Sequence, residues 1–230
     1  MAEDRSDETC AAPLRPSLTA QEALVVEDEA GNAAGDRLVR ALEALLVERG
    51  LLTPKEVSAE IARLQAPGLQ LGSRLVARAW TDASFKERLL ANGKEAAAEL
   101  GIKIGEAQLV VVENTQSDHN LIVCTLCSCY PRSLLGQPPS WYISRTYRAR
   151  AVREPRTVLR EFGLDVPDDV RVRVHDSNAD MRYMVLPGRP SGTEAWDEAA
   201  LSQLITRDSL IGIALPKLSG CAEAYEPARS

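Results

Sequence analysis

Three of the chain's five cysteines lie within six consecutive residues, inside the stretch VCTLCSCY at residues 123–130. These three are Cys124, Cys127 and Cys129, whereas Cys10 and Cys221 lie in polar stretches far from the cluster. Secreted disulfide scaffolds distribute their cysteines along the chain, so a single cluster is typical of a functional site. The clustering therefore predicts that this short segment carries the chemistry of the protein.

Two common uses of clustered cysteines fit this spacing poorly. A disulfide needs Cα atoms about 4.4–6.8 Å apart and a dihedral near 90°, which cysteines two or three residues apart in a tight loop reach only with strain. Structural zinc sites normally take four ligands from two separated pairs, and the sequence has no second pair of cysteines. Neither histidine, His119 nor His175, falls at finger spacing, and we interpret both as polar strand residues, although His119 could reach the cluster.

A third use involves the backbone of the Cys-Ser-Cys segment. The sulfurs of Cys127 and Cys129 can close chelate rings with the amide nitrogens of Ser128 and Cys129, and the Cys124 thiolate can lie below that plane. Such an anionic donor set suits low-spin trivalent cobalt or iron better than zinc, and it leaves one position open for water or substrate. The spacing alone does not establish amide ligation, so the other uses stay open at this point.

The sequence around the cluster predicts an α+β fold. Apolar residues recur at helical spacing from residue 36, where Asp36 is the expected N-cap, to residue 100. Strands are expected near residues 108–114, 120–124, 170–174 and 182–186, the last two as an antiparallel pair, with a further strand from Leu210. Residues 131–140 are too rich in proline and glycine to be regular. We expect a helical N-terminal region packed on a small, mostly antiparallel sheet that carries the cysteine loop.

Composition divides the chain and limits its functions. We expect a loose arm over residues 1–35, one domain over 36–216 with a helical part (36–100) and an α/β part (101–216), and a tail over 217–230.

The acidic N-terminal sequence and the lack of an apolar run of about 20 residues favour a cytoplasmic protein without membrane contact. A net charge of −6 argues against nucleic-acid binding. The six arginines within residues 144–160 are interpreted as a face that binds a partner subunit.

The segment VCTLCSCYP resembles the metal-binding claw of nitrile hydratase α subunits, and the thiocyanate hydrolase γ subunit carries a similar segment. Further segments resemble this family in the same order: ARAWTD (77–82), VVVENT (110–115), LGQPPSWY (135–142), YRARAVREPR (147–156), RYMVLP (182–187) and TRDSLIG (206–212). The resemblance therefore covers roughly residues 36–216.

The resemblance implies a metal site and its chemistry. Cys124, Cys127 and Cys129 are implied to be sulfur ligands, and Ser128 and Cys129 to give amide nitrogens. Cys127 is implied to be oxidised to a sulfinic acid and Cys129 to a sulfenic acid, and these two are the predicted catalytic residues. The implied reaction is hydration of a nitrile to an amide, in which the oxygen on Cys129 acts as nucleophile or as base toward water.

The resemblance also implies a cofactor and partners. Thr125 and Tyr130 are typical of the cobalt type, so non-corrin Co(III) is expected, with Fe(III) as the alternative. A β subunit is expected to supply arginines to the oxidised cysteines, and a metallochaperone or activator protein to load the metal. The chain alone should therefore be inactive toward a small nitrile substrate.

Tyr130, Arg132 and Trp141 are the predicted substrate-pocket residues. Nitrile hydratases usually carry tryptophan where this chain has Arg132, and the segment from that position resembles thiocyanate hydrolase more closely, which makes a thiocyanate hydrolase γ-type subunit the alternative function. Glu113 and Asn114 are candidate hydrogen-bond donors behind the site. A metal-storage or redox-sensing protein with exchangeable thiols is the non-enzymatic alternative.

Overall fold

The structure is a computed structural model, and it describes residues 33–65, 69–216 and 218 of the 230-residue chain. The predicted arm (residues 1–35) and tail (residues 217–230) lie outside these residues, apart from positions 33–35 and 218. Cys10 and Cys221 also lie outside them. Among the described helices, none is long and apolar enough to cross a membrane.

The N-terminal part of the described chain is helical, as predicted. Its helices are α1 (Ala33–Glu48), α2 (Pro54–Gln65), α3 (Leu69–Thr81), α4 (Ala83–Ala91) and α5 (Gly93–Glu99). Asp82 and Asn92 cap α4 and α5, because their side chains accept hydrogen bonds from backbone N–H groups of the first turn. Helix α1 begins before Asp36, so the expected N-cap at that residue is wrong.

Helix α1 differs from the helices that follow it in how little of its apolar face is covered. Leu38, Val39, Leu42 and Leu45 are all exposed, with Leu38 at 71%. Helix α3 by contrast buries Leu75, and α4 and α5 pack against the strands. Helices α4 and α5 are therefore the ones that pack on the strands, and α3 packs on α4 and on two later helices.

The strands form two parallel pairs. Strand β1 (Gln108–Glu113) pairs with β4 (Met181–Leu186), and β2 (Asp118–Val123) pairs with β3 (Arg171–Asp176). The expectation of a helical region with a small sheet is confirmed. The expected antiparallel pairing is wrong, because no two described strands pair in that direction.

The loops between neighbouring strands explain this difference. Short loops join β1 to β2 and β3 to β4, and such loops usually close an antiparallel hairpin. Here each loop carries the chain from one strand pair to the other. In the β1–β2 loop the Thr115 N–H donates to the Asp118 carbonyl (2.9 Å), and in the β3–β4 loop the Asn178 N–H donates to the Met181 carbonyl (2.9 Å). Partners within each pair are joined by long crossovers, as parallel pairing requires.

Short helices fill the remaining connections. They are α6 (Arg132–Leu135), α7 (Ser140–Ile143), α8 (Arg145–Arg153), α9 (Pro155–Glu161), α10 (Glu198–Gln203) and α11 (Arg207–Ile211). Residues 131–140, expected to be irregular, contain α6 and the first residue of α7, two single turns that the surrounding prolines concealed. The strand expected from Leu210 is wrong, because α11 ends there at Gly212, whose φ of 94° stops the helix.

A buried polar group joins β2 to this helix end. The His119 ring is fully buried, with Nε2 2.7 Å from the Gly212 carbonyl oxygen and Nδ1 3.3 Å from Nδ2 of Asn114. A carbonyl can only accept, so Nε2 carries the proton and Nδ1 accepts from the amide. The oxygen of Asn114 accepts in turn from the backbone N–H of Asn120 (2.8 Å). The fold therefore requires His119 to be neutral.

This requirement predicts acid sensitivity of the fold. Burial lowers the pKa of His119 below its usual 6.5, with a smaller lowering from the Arg156 charge and an opposing effect of the Gly212 carbonyl. The unfolded chain binds the proton more readily, so the free energy of unfolding should fall as pH drops below about 6.5, by at most about 1.4 kcal/mol per pH unit. Urea unfolding of the chain and of His119→Gln across pH 5–8 measures this. Equal pH slopes in the two proteins would contradict the assignment.

Candidate metal centre

The cysteine cluster occupies a loop that starts where β2 ends. Cys124 follows Val123 directly and is buried, Cys127 is exposed, and Cys129 is buried. The Sγ atom of Cys127 lies 3.5 Å from that of Cys124 and 3.2 Å from that of Cys129. All three sulfurs lie within 4.8 Å of one another. The structure therefore gathers the three sulfurs at one point; we call residues 124–129 the claw loop.

Strand β3 holds the outer side of the claw loop. The parallel register places Asp176 beside Val123, one residue before the first cysteine. The Asp176 carboxylate accepts from the backbone N–H of Thr125 (2.9 Å) and from the Thr125 hydroxyl (2.5 Å). Both carboxylate oxygens thus bind one residue of the loop, and this fixes the turn that follows Cys124. No local pattern in the sequence points to Asp176, because only the β2–β3 register brings it to the site.

Two buried tyrosines hold the inner side. The Tyr142 hydroxyl donates to the Cys129 carbonyl (2.8 Å), and the Tyr147 hydroxyl donates to the Ile122 carbonyl (2.7 Å). Both rings are fully buried and pack with Trp141 at centroid distances of 5.9 and 4.9 Å. The two ends of the claw loop are therefore anchored to an aromatic cluster that is itself part of the core.

Cys127 and Cys129 differ in how readily their thiols ionise. Burial, together with the nearby Cys127 and Cys124 thiols, raises the pKa of the Cys129 thiol to about 12, and the Arg182 charge opposes them. The pKa of Cys127 is lowered, first by the hydrogen bonds with Cys129 and Cys124 and then by the backbone N–H groups of Ser128 and Cys129. Cys127 is therefore more readily a thiolate than Cys129.

The sulfur separations are those of a metal-ligating cluster. Two ligands about 2.3 Å from a metal lie about 3.3 Å apart at right angles and about 3.8 Å apart at tetrahedral angles. The distances of 3.2 and 3.5 Å at Cys127 are near these values, and all three sulfurs lie within 4.8 Å of one another. Among the described residues, this metal-ligating cluster contains three cysteines and no histidine or carboxylate. It therefore lacks the fourth side-chain ligand of a structural zinc site, whereas it suits the ion considered above, whose remaining protein ligands are backbone nitrogens.

The residues predicted for the substrate pocket lie in different surroundings. Tyr130 and Trp141 are buried, at 2% exposure each, and Tyr130 packs edge-on against Tyr142. Arg132 is exposed at the start of α6, just after the claw loop. Their roles at the substrate stay a prediction, and Arg132 is the one of the three that solvent reaches.

The two candidate donors behind the site are used elsewhere in the fold. Glu113 forms an ion pair with Lys86, and Asn114 belongs to the buried group around His119. His119 itself lies in that group and outside the cysteine cluster.

An open groove lies beside the claw loop. It has a volume of about 600 Å³ and is lined by Thr125, Leu126, Arg145, Arg148, Ala149, Val152 and Arg153. Leu126 is 85% exposed, and the Arg148 guanidinium reaches the Thr125 carbonyl (3.4 Å). Arg150, also on α8, forms ion pairs with Glu154 and Glu161 and does not line the groove. The groove combines apolar and basic groups next to the cysteines, as a protein partner surface does.

A small α+β fold with three converging cysteine sulfurs at a strand end defines a thiolate metal-centre protein. The family model for the nitrile hydratase alpha chain matches residues 33–214. The chain therefore belongs to the nitrile hydratase α-chain family, whose members are enzyme subunits. The predicted family and the prediction that the chain is part of an enzyme are both confirmed.

Individual relatives agree with the family model. The low-molecular weight cobalt-containing nitrile hydratase subunit alpha of Rhodococcus rhodochrous is 50% identical over 181 residues, covering 77% of this chain and 87% of the relative. The thiocyanate hydrolase subunit gamma of Thiobacillus thioparus is 40% identical over 202 residues, covering 83% of both chains. A double mutant of the Fe-type nitrile hydratase from Comamonas testosteroni Ni1 matches with a TM-score of 0.75 at 46% identity, covering 87% of this chain and 98% of that one.

Proposed function

We propose that this chain is the metal-binding, catalytic subunit of a nitrile hydratase, converting a nitrile and water into an amide. The observation that carries the proposal is the cluster of three cysteine sulfurs within 4.8 Å of one another at the end of β2, a cluster that holds no histidine or carboxylate. Family membership supports the reaction class. Residues 36–216 form the proposed domain, with its helical and α/β parts meeting at about residue 100.

The proposed ligands are the sulfurs of Cys124, Cys127 and Cys129 and the backbone nitrogens of Ser128 and Cys129. The backbone N–H groups of Ser128 and Cys129 both lower the pKa of the Cys127 thiol, and this effect supports amide ligation. Non-corrin Co(III) is the proposed ion, supported by the cobalt-containing relatives and by Thr125 and Tyr130. The likeness to an Fe-type structure keeps Fe(III) as the alternative.

The proposed mechanism divides the chemistry between metal and protein. The trivalent ion supplies Lewis acidity that polarises the C≡N bond of the substrate. Before catalysis, Cys127, exposed and the readier thiolate, is proposed to be oxidised to a sulfinic acid, and Cys129 to a sulfenic acid, with dioxygen as the oxidant. The Cys129 oxygen then attacks the nitrile carbon or takes a proton from the attacking water. One water is consumed on either route. Its oxygen becomes the amide carbonyl oxygen when water attacks, and it replaces the transferred oxygen on Cys129 when that oxygen attacks.

The proposed partners follow from the exposed surface. A β subunit is proposed to cover the groove beside the claw loop and to supply arginines to the oxidised cysteines, because Leu126 and the apolar face of α1 are exposed in the described chain. A metallochaperone or activator protein is proposed to load the metal, and a cytoplasmic location is retained. Since two of the three thiols are buried, a storage or redox-sensing role, which needs exchangeable thiols, is less well supported.

A thiocyanate hydrolase γ-type subunit is the second candidate. The observation that favours it is the exposed Arg132, whose cation lies next to the claw loop and suits an anionic substrate better than a neutral nitrile. The 40% identity to a thiocyanate hydrolase subunit gamma supports this candidate as well.

Production of the chain with its candidate β partner in cobalt-containing medium tests the proposal. We expect about one cobalt ion per chain, three added oxygen atoms on the claw-loop peptide by mass spectrometry, and amide formation from a nitrile. Turnover of thiocyanate in place of the nitrile would establish the second candidate. Unmodified thiols without tightly held metal in an assembled complex would refute both candidates.

A further inference from the structure

The charge of the chain is divided unevenly between its first 32 residues and the rest. Residues 1–32 contain eight acidic and two basic residues, which gives them a net charge of −6. The whole chain has 33 acidic and 27 basic residues, so residues 33–230 contain 25 of each and are neutral. The entire excess of negative charge therefore belongs to residues 1–32, which lie outside the part of the chain that the structure describes.

One stretch within these residues combines apolar and acidic side chains. It is ALVVEDE at residues 23–29, in which four apolar residues precede three consecutive carboxylates. We call residues 23–29 the acidic segment. The apolar residues gain free energy when they leave water, and the carboxylates gain it beside cations. A surface that binds this segment must therefore offer an apolar area with basic side chains next to it.

The groove beside the claw loop offers the apolar area. Leu126 is 85% exposed and Val152 is 50% exposed, and both line the groove. A pocket volume of about 600 Å³ is typical of sites that enclose a small organic ligand, so a few apolar side chains fit into it. Exposed apolar side chains gathered beside basic ones mark an interaction site.

Two arginines of the same groove supply the basic groups. Arg148 donates from Nε to the Ser144 carbonyl (3.3 Å) and from NH1 to the Thr125 carbonyl (3.4 Å). The Nε atom of Arg153 likewise donates to a backbone carbonyl of α8. Within the described chain neither arginine forms an ion pair with a carboxylate, whereas Arg150 on the same helix forms two. Both guanidinium groups can therefore still pair with carboxylates brought into the groove.

We propose that, in the unassembled chain, the acidic segment binds in this groove. Its apolar residues cover Leu126 and Val152, and its carboxylates pair with Arg148 and Arg153. The segment thus covers the surface beside the claw loop until the β subunit displaces it. Occupancy of the groove does not depend on the proposed function, whereas the competition with the β subunit rests on it.

Photo-cross-linking of the full-length chain, without metal or β subunit and under reducing conditions, tests where the segment binds. The cross-linker p-benzoylphenylalanine replaces Val152 in the groove or, as a positional control, Trp196, which is exposed and does not line the groove. Peptide mapping and intact mass identify what is joined. We expect position 152, and not position 196, to be joined to residues 23–29 at the mass of one chain.

The other outcomes of this experiment contradict the inference. Joining to residues 23–29 at the mass of two chains would mean that a second copy fills the groove. Joining of position 152 to other residues, or to none, would mean that the acidic segment does not bind there.

Two triple variants test the role of the carboxylates, and each removes three negative charges. They are Glu27→Gln/Asp28→Asn/Glu29→Gln in the acidic segment and Asp4→Asn/Asp7→Asn/Glu8→Gln outside it. We expect the first to lower the yield of the cross-link from position 152 about fivefold, because each lost ion pair weakens binding modestly. The second should leave the yield unchanged. Equal losses in both variants would mean that total charge, and not the acidic segment, controls the cross-link.

The affinity of the same variants for the β subunit tests the competition. A groove that is already occupied lowers the fraction of chain able to bind, so the variant in the acidic segment should bind the β subunit about fivefold more tightly than the parent. Equal or weaker binding would overturn the competition, and weaker binding would place the segment against the β subunit. A parent that fails to bind a β subunit or metal would refute the proposed function while leaving the cross-linking result intact.

Discussion

Replacing Cys124 by serine is expected to remove the bound metal and to lower the rate of nitrile hydration by more than about 100-fold. Removing a residue that only hydrogen-bonds to a metal ligand already lowers metal affinity or activity by about 10–100-fold, so loss of a ligand itself should lower it further. The Cys124 side chain is fully buried at the end of β2, 3.5 Å from the Cys127 sulfur. Serine is nearly isosteric, but its hydroxyl does not ionise near neutral pH and cannot replace a thiolate ligand. Cobalt content by mass spectrometry and the rate of amide formation, both on the complex with the β subunit, measure the effect.

Two comparisons separate ligand loss from unfolding. Cys10→Ser removes a cysteine outside the cluster and should leave cobalt content and activity unchanged. The metal-free forms of the parent and of Cys124→Ser should unfold at similar urea concentrations, because the substitution changes little volume in the core. Full cobalt occupancy in Cys124→Ser would contradict the assignment of this residue as a ligand.

The cysteine cluster could be predicted from the sequence because its members are neighbours along the chain. Three cysteines within six residues meet where the segment turns sharply, and the structure brings their sulfurs within 4.8 Å of one another. Asp176 could not be found in this way, because strand pairing alone brings it to the loop. An isolated aspartate before the loop SNAD carries no local pattern that distinguishes it from any exposed strand residue.

The same distinction applies to the fold. The helical character of residues 36–100 was predicted from apolar spacing, which acts between residues only a few positions apart. Strand direction depends on which distant strand supplies the partner, so two short loops suggested hairpins where the chain passes between two parallel pairs. The segment at Leu210 was predicted as a strand because its helix is one short turn whose capping box, Thr206 and Ser209, was not recognised.

Replacing Asp176 is expected to have the second largest effect, although no metal ligand is changed. Its carboxylate accepts from the N–H and the hydroxyl of Thr125, and this fixes the residue that follows the first cysteine. Asp176→Ala removes both bonds, so the loop must order itself when metal binds, and cobalt retention or kcat should fall about 10–100-fold. In Asp176→Asn, the amide can accept from the N–H and donate to the rotated hydroxyl, so a smaller loss is expected.

Asp118→Asn supplies the matched control, because Asp118 is a paired carboxylate at the opposite end of the same β2–β3 pair. This control should affect the unfolding midpoint and leave cobalt retention unchanged. Thr125→Val, which removes only the hydroxyl, should fall between the parent and Asp176→Ala, and in a double variant with Asp176→Ala it should add nothing further. Additive losses in the double variant would mean that Asp176 acts on the metal centre by some route other than Thr125.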